Sequence, residues 1–123
     1  EMNTNTAVSA IDIATTVYEI CGIEKPVGLQ GINVLENASL NARDVVFAET
    51  YAHDFSSIDS SLFYRVAIDL PYKLILPDEA NKPAAEIELF NVVTDAFETE
   101  NLAGSNPEKV EELRKKIEEW WDK

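Results

Sequence analysis

The end of the chain carries the pattern that most constrains its fold, an amphipathic helix with a single apolar face. Ser105 or Asn106 can cap this helix, and Pro107 suits its first turn because a helical N–H has no partner there. Apolar side chains then recur three and four residues apart, at Val110, Leu113, Ile117 and Trp120. A helix with one apolar stripe must cover another apolar surface, so the rest of the chain has to supply one.

The region before this helix contains four short segments of strand-like composition. β-branched and aromatic residues are concentrated in Val45–Tyr51, Leu62–Ile68, Tyr72–Leu76 and Ile87–Val93. Leu70-Pro71 is a tight connection and Pro77–Pro83 a longer polar one, and such short connections favour antiparallel pairing. The sequence therefore predicts an α+β fold, in which a small antiparallel sheet of about four strands carries the C-terminal helix on one face.

A further helix is predicted near the start of the chain, at Ala10–Cys21. Ser9 is a good N-cap, and Asp12 three residues later can return a hydrogen bond, as in a capping box. Gly22 suits the position after a helix because glycine adopts a positive φ freely. Within Ala10–Cys21 the apolar residues recur at helical spacing, so this N-terminal helix also has an apolar face.

The organisation changes between this helix and the first strand. Residues 24–44 contain turn-forming residues without clear periodicity, and we predict an irregular connection there. The serine- and aspartate-rich residues 52–61, between the first two strands, are predicted to form a loop. We therefore divide the chain into residues 1–44, the first helix and its connection, and residues 45–123, the sheet and the last helix.

The net charge of −13 over 123 residues limits the partners that this protein can bind. A strongly acidic surface is repelled by nucleic-acid phosphates and by anionic membranes, so we predict neither as a partner.

The single cysteine, Cys21, cannot form an internal disulfide, and it therefore carries no indication of the redox compartment.

Five blocks of the sequence resemble the C-terminal part of the sulfatase family, in the order in which that family has them. The blocks are S-A-I-D-I-A-T-T-V-Y-E-I-C-G-I-E-K-P (Ser9–Pro26), L-Q-G-I-N-V-L (Leu29–Leu35), R-D-V-V-F-A-E (Arg43–Glu49), R-V-A-I-D-L-P-Y-K-L-I (Arg65–Ile75) and E-I-E-L-F-N-V-V-T-D-A-F-E-T-E-N-L-A (Glu86–Ala103). The last block is similar to the family's E-L-Y-D-L strand followed by D-P-x-E-x-x-N-L. Four positions depart from the family's pattern. Thr15 and Ala96 stand where the family usually has proline, Asn33 stands in place of serine, and Ile68 stands in place of arginine.

The resemblance implies a longer sulfate-ester hydrolase, here called the parent, whose chemistry lies upstream of this chain. In that family a formylglycine, made from Cys or Ser in a C/S-x-P-x-R motif, attacks the sulfate ester, and calcium polarises it. Cys21 is followed by Gly-Ile-Glu-Lys, and the chain has no S-x-P-x-R. Calcium and formylglycine are therefore implied for the parent, whereas this chain is predicted to carry no catalytic residue, metal site or cofactor and to be inactive alone.

Three residues are candidates for contact with the parent's substrate. His53 and Asp54 lie on the predicted loop after the first strand, and Arg65, on the second strand, would be their neighbour. Loops at strand ends commonly carry specificity. The alternatives are that His53 is an ordinary loop residue and that Arg65 pairs with a carboxylate and holds the sheet together.

The resemblance also implies partners and a location. The first helix would pack against the parent's N-terminal catalytic domain or, in the isolated chain, against a second copy in a homodimer. Sulfatases are commonly exported, which implies a periplasmic or extracellular parent, although the sequence itself identifies no compartment. Two alternatives stay open, the tail of a related phosphoester or phosphonate hydrolase and a free-standing acidic binding module with the same α+β layout.

Overall fold

The computed structural model describes residues 6–53 and 57–121 of the chain. Its helices and strands, in order, are α1 (Ile11–Ile20), α2 (Asn37–Ala42), β1 (Val46–Tyr51), α3 (Ile58–Ser61), β2 (Leu62–Asp69), β3 (Tyr72–Pro77), β4 (Glu88–Asn91) and α4 (Pro107–Trp121). The chain divides into two compact units, with the boundary between Val46 and Phe47, at the start of β1. The first unit therefore contains α1 and α2, and the second contains the sheet and α4.

The sheet has the strand order β1-β2-β3-β4. Strands β2 and β3 pair antiparallel with Arg65 opposite Leu76, and β3 pairs antiparallel with β4 through Leu74 opposite Leu89. Strands that follow each other in the sequence are neighbours in the sheet, as short connections require. The predicted α+β fold, with a four-stranded antiparallel sheet, is confirmed.

The C-terminal helix α4 packs on β2 and β3. Its inward residues Leu113 and Ile117 are fully buried, as are Leu74 and Leu89 of the sheet. Complete burial of a large aliphatic side chain contributes roughly 1.5–3 kcal/mol, so these four residues supply much of the stability of the second unit. The apolar stripe predicted from the sequence is therefore the side of the helix that forms the core.

Polar and aromatic contacts fix the two ends of α4. Asp69, at the end of β2, forms ion pairs with Lys109 at 3.0 Å and Lys116 at 3.3 Å. Burial lowers the pKa of Lys109, but hydrogen bonds to carboxylates and their negative charge outweigh this effect and raise the pKa. At the other end of the helix, the ring of Trp120 stacks on Phe47 of β1 with 4.8 Å between ring centroids.

The turn after β4 is held by side chains of the last sulfatase-like block. The carboxylate of Asp95 accepts hydrogen bonds from the backbone N–H groups of Thr99 and Glu100, at 2.7 and 2.9 Å. The bond from Glu100 has the largest effect on the pKa of Asp95, and the pKa is lowered. Asn101 accepts a hydrogen bond from the N–H of Leu89 at 3.0 Å, which joins the turn to the sheet.

The structure contains two short helices that the sequence does not predict. Helix α2 lies in the predicted irregular connection, and its Leu40 is buried. Helix α3 lies in the predicted loop, and Ser57 caps it by accepting a hydrogen bond from the N–H of Ser60 at 3.3 Å. These helices have six and four residues, which is too short for an apolar repeat of 3.6 residues to show in the sequence.

Candidate docking surface and substrate-contact residues

Helix α1 is amphipathic in the reverse of the usual sense. Its buried residues are polar, namely Asp12, Thr15 and Thr16. Large apolar residues of the helix are exposed instead, among them Ile13 at 66%, Val17 at 53% and Ile20 at 64% exposure. Because they lie four and three residues apart, these side chains share one side of the helix, which we call the α1 apolar face. A surface helix normally turns such a face toward a core.

A buried ion pair holds the polar side of α1. Arg43 donates hydrogen bonds from its two terminal nitrogens to the two carboxylate oxygens of Asp12, at 2.6 and 2.7 Å. The backbone N–H groups of Ser9 and Ile32 donate two more, at 2.7 and 3.0 Å. Burial raises the pKa of Asp12, but the four hydrogen bonds and the charge of Arg43 outweigh it and lower the pKa from 3.8 to about 2.

Residues 31–34 also lie against the polar side of α1. The hydroxyl of Thr16 accepts a hydrogen bond from the N–H of Val34 at 3.1 Å. Gly31 has no room for a side chain, because a Cβ atom there would lie 2.3 Å from the carbonyl oxygen of Ile11. The polar side of α1 is therefore fixed by close and specific contacts, and the α1 apolar face is consequently the side left exposed.

The structure places two of the three predicted substrate-contact residues. His53 lies in an exposed bend after β1, and Asp54 lies outside the described residues. Arg65 is half-buried on β2, and its guanidinium lies over the ring of Trp121, 5.6 Å from the centroid. The buried Nε of Arg65 has no hydrogen-bond partner in the described part of the chain. Contact of these residues with a substrate stays a prediction.

A cleft of about 560 Å³ opens beside Arg65 within the second unit. Its lining includes Leu76 from β3, Ile87 just before β4, and Arg114 and Glu118 from α4. The sequence pattern around Arg114 does not distinguish this residue, because a helical arginine between glutamates is typical of an ordinary solvated helix surface. Its position in the cleft depends on how α4 packs on the sheet.

The described residues do not fit the cofactors implied for the parent. Among residues 6–53 and 57–121, no group of three or more His, Cys, Asp or Glu side chains is arranged to hold a metal ion. Cys21 is exposed at the end of α1. The residues after it, beginning with Gly22, do not form the C-x-P-x-R motif from which formylglycine is made. No helix in the same ranges is long and apolar enough to cross a membrane.

Among curated proteins, the chain is similar in sequence to an arylsulfatase. The chain is 27% identical to arylsulfatase K of Xenopus laevis over 119 residues, which cover 92% of this chain and 22% of that protein. No family model matches the chain. The chain thus spans about a fifth of the length of the curated relative.

Solved structures share the fold. BT4656, solved in complex with its substrate D-glucosamine-2-N,6-O-disulfate, aligns with a TM-score of 0.65 and 22% identity over 98% of this chain and 26% of its own. The candidate sulfatase yidJ of Bacteroides fragilis aligns with a TM-score of 0.68 and 18% identity. This alignment covers 90% of this chain and 24% of yidJ. The sequence match to an arylsulfatase, the five ordered blocks and the shared fold together support the assignment of the chain as a C-terminal sulfatase subdomain.

Proposed function

We propose that this chain is the structural C-terminal subdomain of a sulfate-ester hydrolase, and that it docks on the catalytic domain of that parent through the α1 apolar face. The reversed amphipathicity of α1 carries the proposal. In α1 the carboxylate and hydroxyl groups are buried, while three large aliphatic side chains are exposed. The side of the helix that faces the interior of the first unit is therefore the polar side, and the apolar side is left without a cover. Exposed apolar residues grouped on one side of a helix commonly mark an interaction surface.

The energy available from this face is sufficient for an interdomain contact. Ile13, Val17 and Ile20 are each more than half exposed, and full burial of such a side chain contributes roughly 1.5–3 kcal/mol. Covering the exposed part of all three would therefore contribute about 3 kcal/mol. The bonds of Asp12 hold the helix in place, so little further ordering is needed when the face is covered.

The relatives support a catalytic domain as the occupant of this face. The chain covers only 22% of arylsulfatase K and 26% of BT4656, which leaves about three quarters of a sulfatase to provide the docking partner. We further propose that the parent hydrolyses sulfate esters on sugars, in line with the sulfated sugar bound by BT4656. Calcium and formylglycine would belong to its catalytic domain, and His53, Asp54 and Arg65 would help to shape the substrate cleft.

Substitution of the α1 apolar face tests the docking role. Ile13→Glu and Val17→Glu are introduced together into this chain and into the longer protein reconstructed from its coding region. In the chain alone, exposed substitutions of this kind should change the free energy of unfolding by less than about 1 kcal/mol. In the longer protein the two buried charges should lower the melting temperature by several degrees and reduce sulfatase turnover. Val93→Glu, at a 63% exposed position in the second unit, is the matched control.

Two outcomes would count against docking to a catalytic domain. The first is a longer protein whose melting temperature and turnover are unchanged by the double substitution. The second is a chain that sediments as a dimer and that the double substitution converts to a monomer, since a second copy would then occupy the face.

A further inference from the structure

We propose that Asn81, in the loop between β3 and β4, is a positioning residue for the substrate of the parent. Its side chain holds helix α3 by two hydrogen bonds, and α3 in turn holds the backbone next to His53. Asn81 acts on the substrate only through the place of His53. Because the role of His53 in the substrate cleft is part of the proposed function, this inference rests on that proposal.

Helix α3 depends on contacts from outside the helix. It has four residues, little more than one turn, and a helix of this length is not stable through its own hydrogen bonds. Residues 58–60 are exposed, so burial contributes little to holding them. The last four carbonyl groups of any helix have no partner within that helix, and in α3 these are all the carbonyl groups there are. Other groups must therefore bind them.

Asn81 supplies the donors for the end of α3. Its Nδ2 atom donates hydrogen bonds to the carbonyl oxygen of Asp59 at 2.8 Å and to that of Leu62 at 3.0 Å. A side-chain amide nitrogen has two N–H donors, so both are used here. Since Asp59 lies inside α3 and Leu62 is its C-cap, one side chain joins the helix to the start of β2.

The loop that carries Asn81 is itself fixed to the sheet. The N–H of Asn81 donates to the carboxylate of Asp78 at 3.0 Å, and the N–H of Asp78 donates to the carbonyl of Phe63 on β2 at 2.8 Å. The ammonium of Lys82 lies 3.9 Å from the ring centroid of the same phenylalanine. The sheet therefore determines the position of Asn81, which makes this residue a fixed support for α3.

A single backbone hydrogen bond connects α3 to the neighbour of His53. The N–H of Ala52 donates to the carbonyl of Ser61, the last residue of α3, at 2.7 Å. Ser61 is only 1% exposed, whereas His53, the residue after Ala52, is exposed. A shift at the end of α3 would thus shift the backbone that carries His53. Small displacements of a group that contacts substrate weaken its effect strongly.

Amide hydrogen exchange in the full 123-residue chain tests the structural step. Asn81→Asp keeps the size of the side chain and removes both donors. We expect the N–H of Ala52 to exchange about tenfold faster in this variant, since loss of the support for α3 opens the bond locally. The N–H of Leu89, bound by Asn101 at 3.0 Å on β4, is the internal control and should keep its exchange rate.

Lys82→Met is the matched control variant. Lys82 follows Asn81 in the same loop, but its ammonium lies over the rings of Phe63 and Tyr64 in β2. The exchange rate of Ala52 should therefore stay within about twofold of the wild-type rate. Should Asn81→Asp fail to fold, Asn81→Ala takes its place, because it removes the donors without setting a carboxylate against two carbonyl oxygens.

Steady-state kinetics of the longer protein test the functional step, with D-glucosamine-2-N,6-O-disulfate as the substrate. His53→Ala and Asn81→Asp should each raise KM about fivefold and leave kcat within about twofold, because both changes weaken binding and neither residue takes part in the chemistry. The double variant should raise KM no further than His53→Ala alone, since Asn81 acts through His53. A general loss of stability would not produce this dependence of one substitution on the other.

Four results would overturn the inference. Unchanged exchange of Ala52 in Asn81→Asp would show that Asn81 does not hold this backbone. Multiplied effects on KM in the double variant would show that Asn81 acts independently of His53. A raised KM in His53→Ala with an unchanged KM in Asn81→Asp would reject the role of Asn81 and leave the proposed substrate contact intact. An unchanged KM in His53→Ala would reject that contact itself, and the role of Asn81 with it.

Discussion

Arg43 and Asp12 form a two-pronged ion pair within the first unit, with nitrogen–oxygen distances of 2.6 and 2.7 Å. The carboxylate is only 1% exposed, and two backbone N–H groups complete its hydrogen bonds. Loss of either partner of such a pair leaves a buried charge unpaired, which typically costs 3–5 kcal/mol. This pair therefore determines which side of α1 is turned inward, and with it the exposure of the α1 apolar face.

The low pKa of Asp12 predicts acid lability of the first unit. The pKa is about 2 in the folded chain and 3.8 ordinarily, so the unfolded chain binds the proton more readily. The corresponding stability, about 2 kcal/mol, is fully present above pH 4 and is lost as the pH falls through 2. Urea unfolding of the wild type and Asp12→Asn between pH 7 and 2 measures it. Equal pH dependence of the two proteins would show that Asp12 is not the responsible group.

Two neighbouring buried threonines predict opposite effects of the same substitution. Thr15 has a hydroxyl without a hydrogen-bond partner in the described part of the chain, whereas the Thr16 hydroxyl accepts from the N–H of Val34. Thr15→Val should leave stability unchanged or raise it by up to about 1 kcal/mol, and Thr16→Val should lower it by about 1–2 kcal/mol. Urea unfolding compares them directly. Similar losses in both variants would mean that the Thr15 hydroxyl has a partner after all.

Gly31 is predicted to tolerate no side chain. In Gly31→Ala the new Cβ would meet the carbonyl oxygen of Ile11, a backbone atom that cannot move aside, and overpacking of this kind typically costs 1–3 kcal/mol. Gly104→Ala is the control, because its Cβ would have no neighbour within 4 Å and should change stability by less than about 0.5 kcal/mol. The melting temperatures of both variants test this difference, and equal temperatures would contradict the close packing of residue 31 on α1.

The ring stack between Trp120 and Phe47 is predicted to couple α4 to β1. The rings lie 6° from parallel, an arrangement worth about 0.5–1.5 kcal/mol beyond the burial of their area. A double-mutant cycle with Trp120→Leu and Phe47→Leu, followed by chemical unfolding, should give a coupling free energy of about 1 kcal/mol. A coupling near zero would show that the rings contribute only by burial.

The longer elements of the fold follow from the sequence because their patterns are local. The stripe ending at Trp120 identifies α4, and the predicted α1 differs from the observed helix by one residue at each end. Strand β4 is shorter than predicted, since the side chain of Asn91 accepts hydrogen bonds from the N–H groups of Val93 and Thr94 and so begins the turn early. Likewise, the N–H of Ser9 donates a hydrogen bond to the carboxylate of Asp12, but the N-cap residue of the helix is Ala10, which makes no side-chain cap.

The candidate site follows from the sequence only in part, because it depends on long-range contacts. The spacing of Ile13 and Val17 defines an apolar face. Burial of the opposite, polar side depends on the hydrogen bonds between Asp12 and Arg43, which lies 31 residues further along the chain. Arg65 can be selected as a candidate from its block, whereas its position over the ring of Trp121 cannot, since the two residues lie on different elements. No local pattern distinguishes Arg114, a cleft residue, from the other charged residues of α4.

The non-catalytic role of the chain is best tested by sulfatase turnover of an aryl sulfate in the presence of calcium. The assay compares this chain with the longer protein reconstructed from its coding region, at equal concentration. We predict turnover by the longer protein and none by the chain alone. Turnover by the chain alone would contradict the assignment, because the chemistry would then lie within these 123 residues.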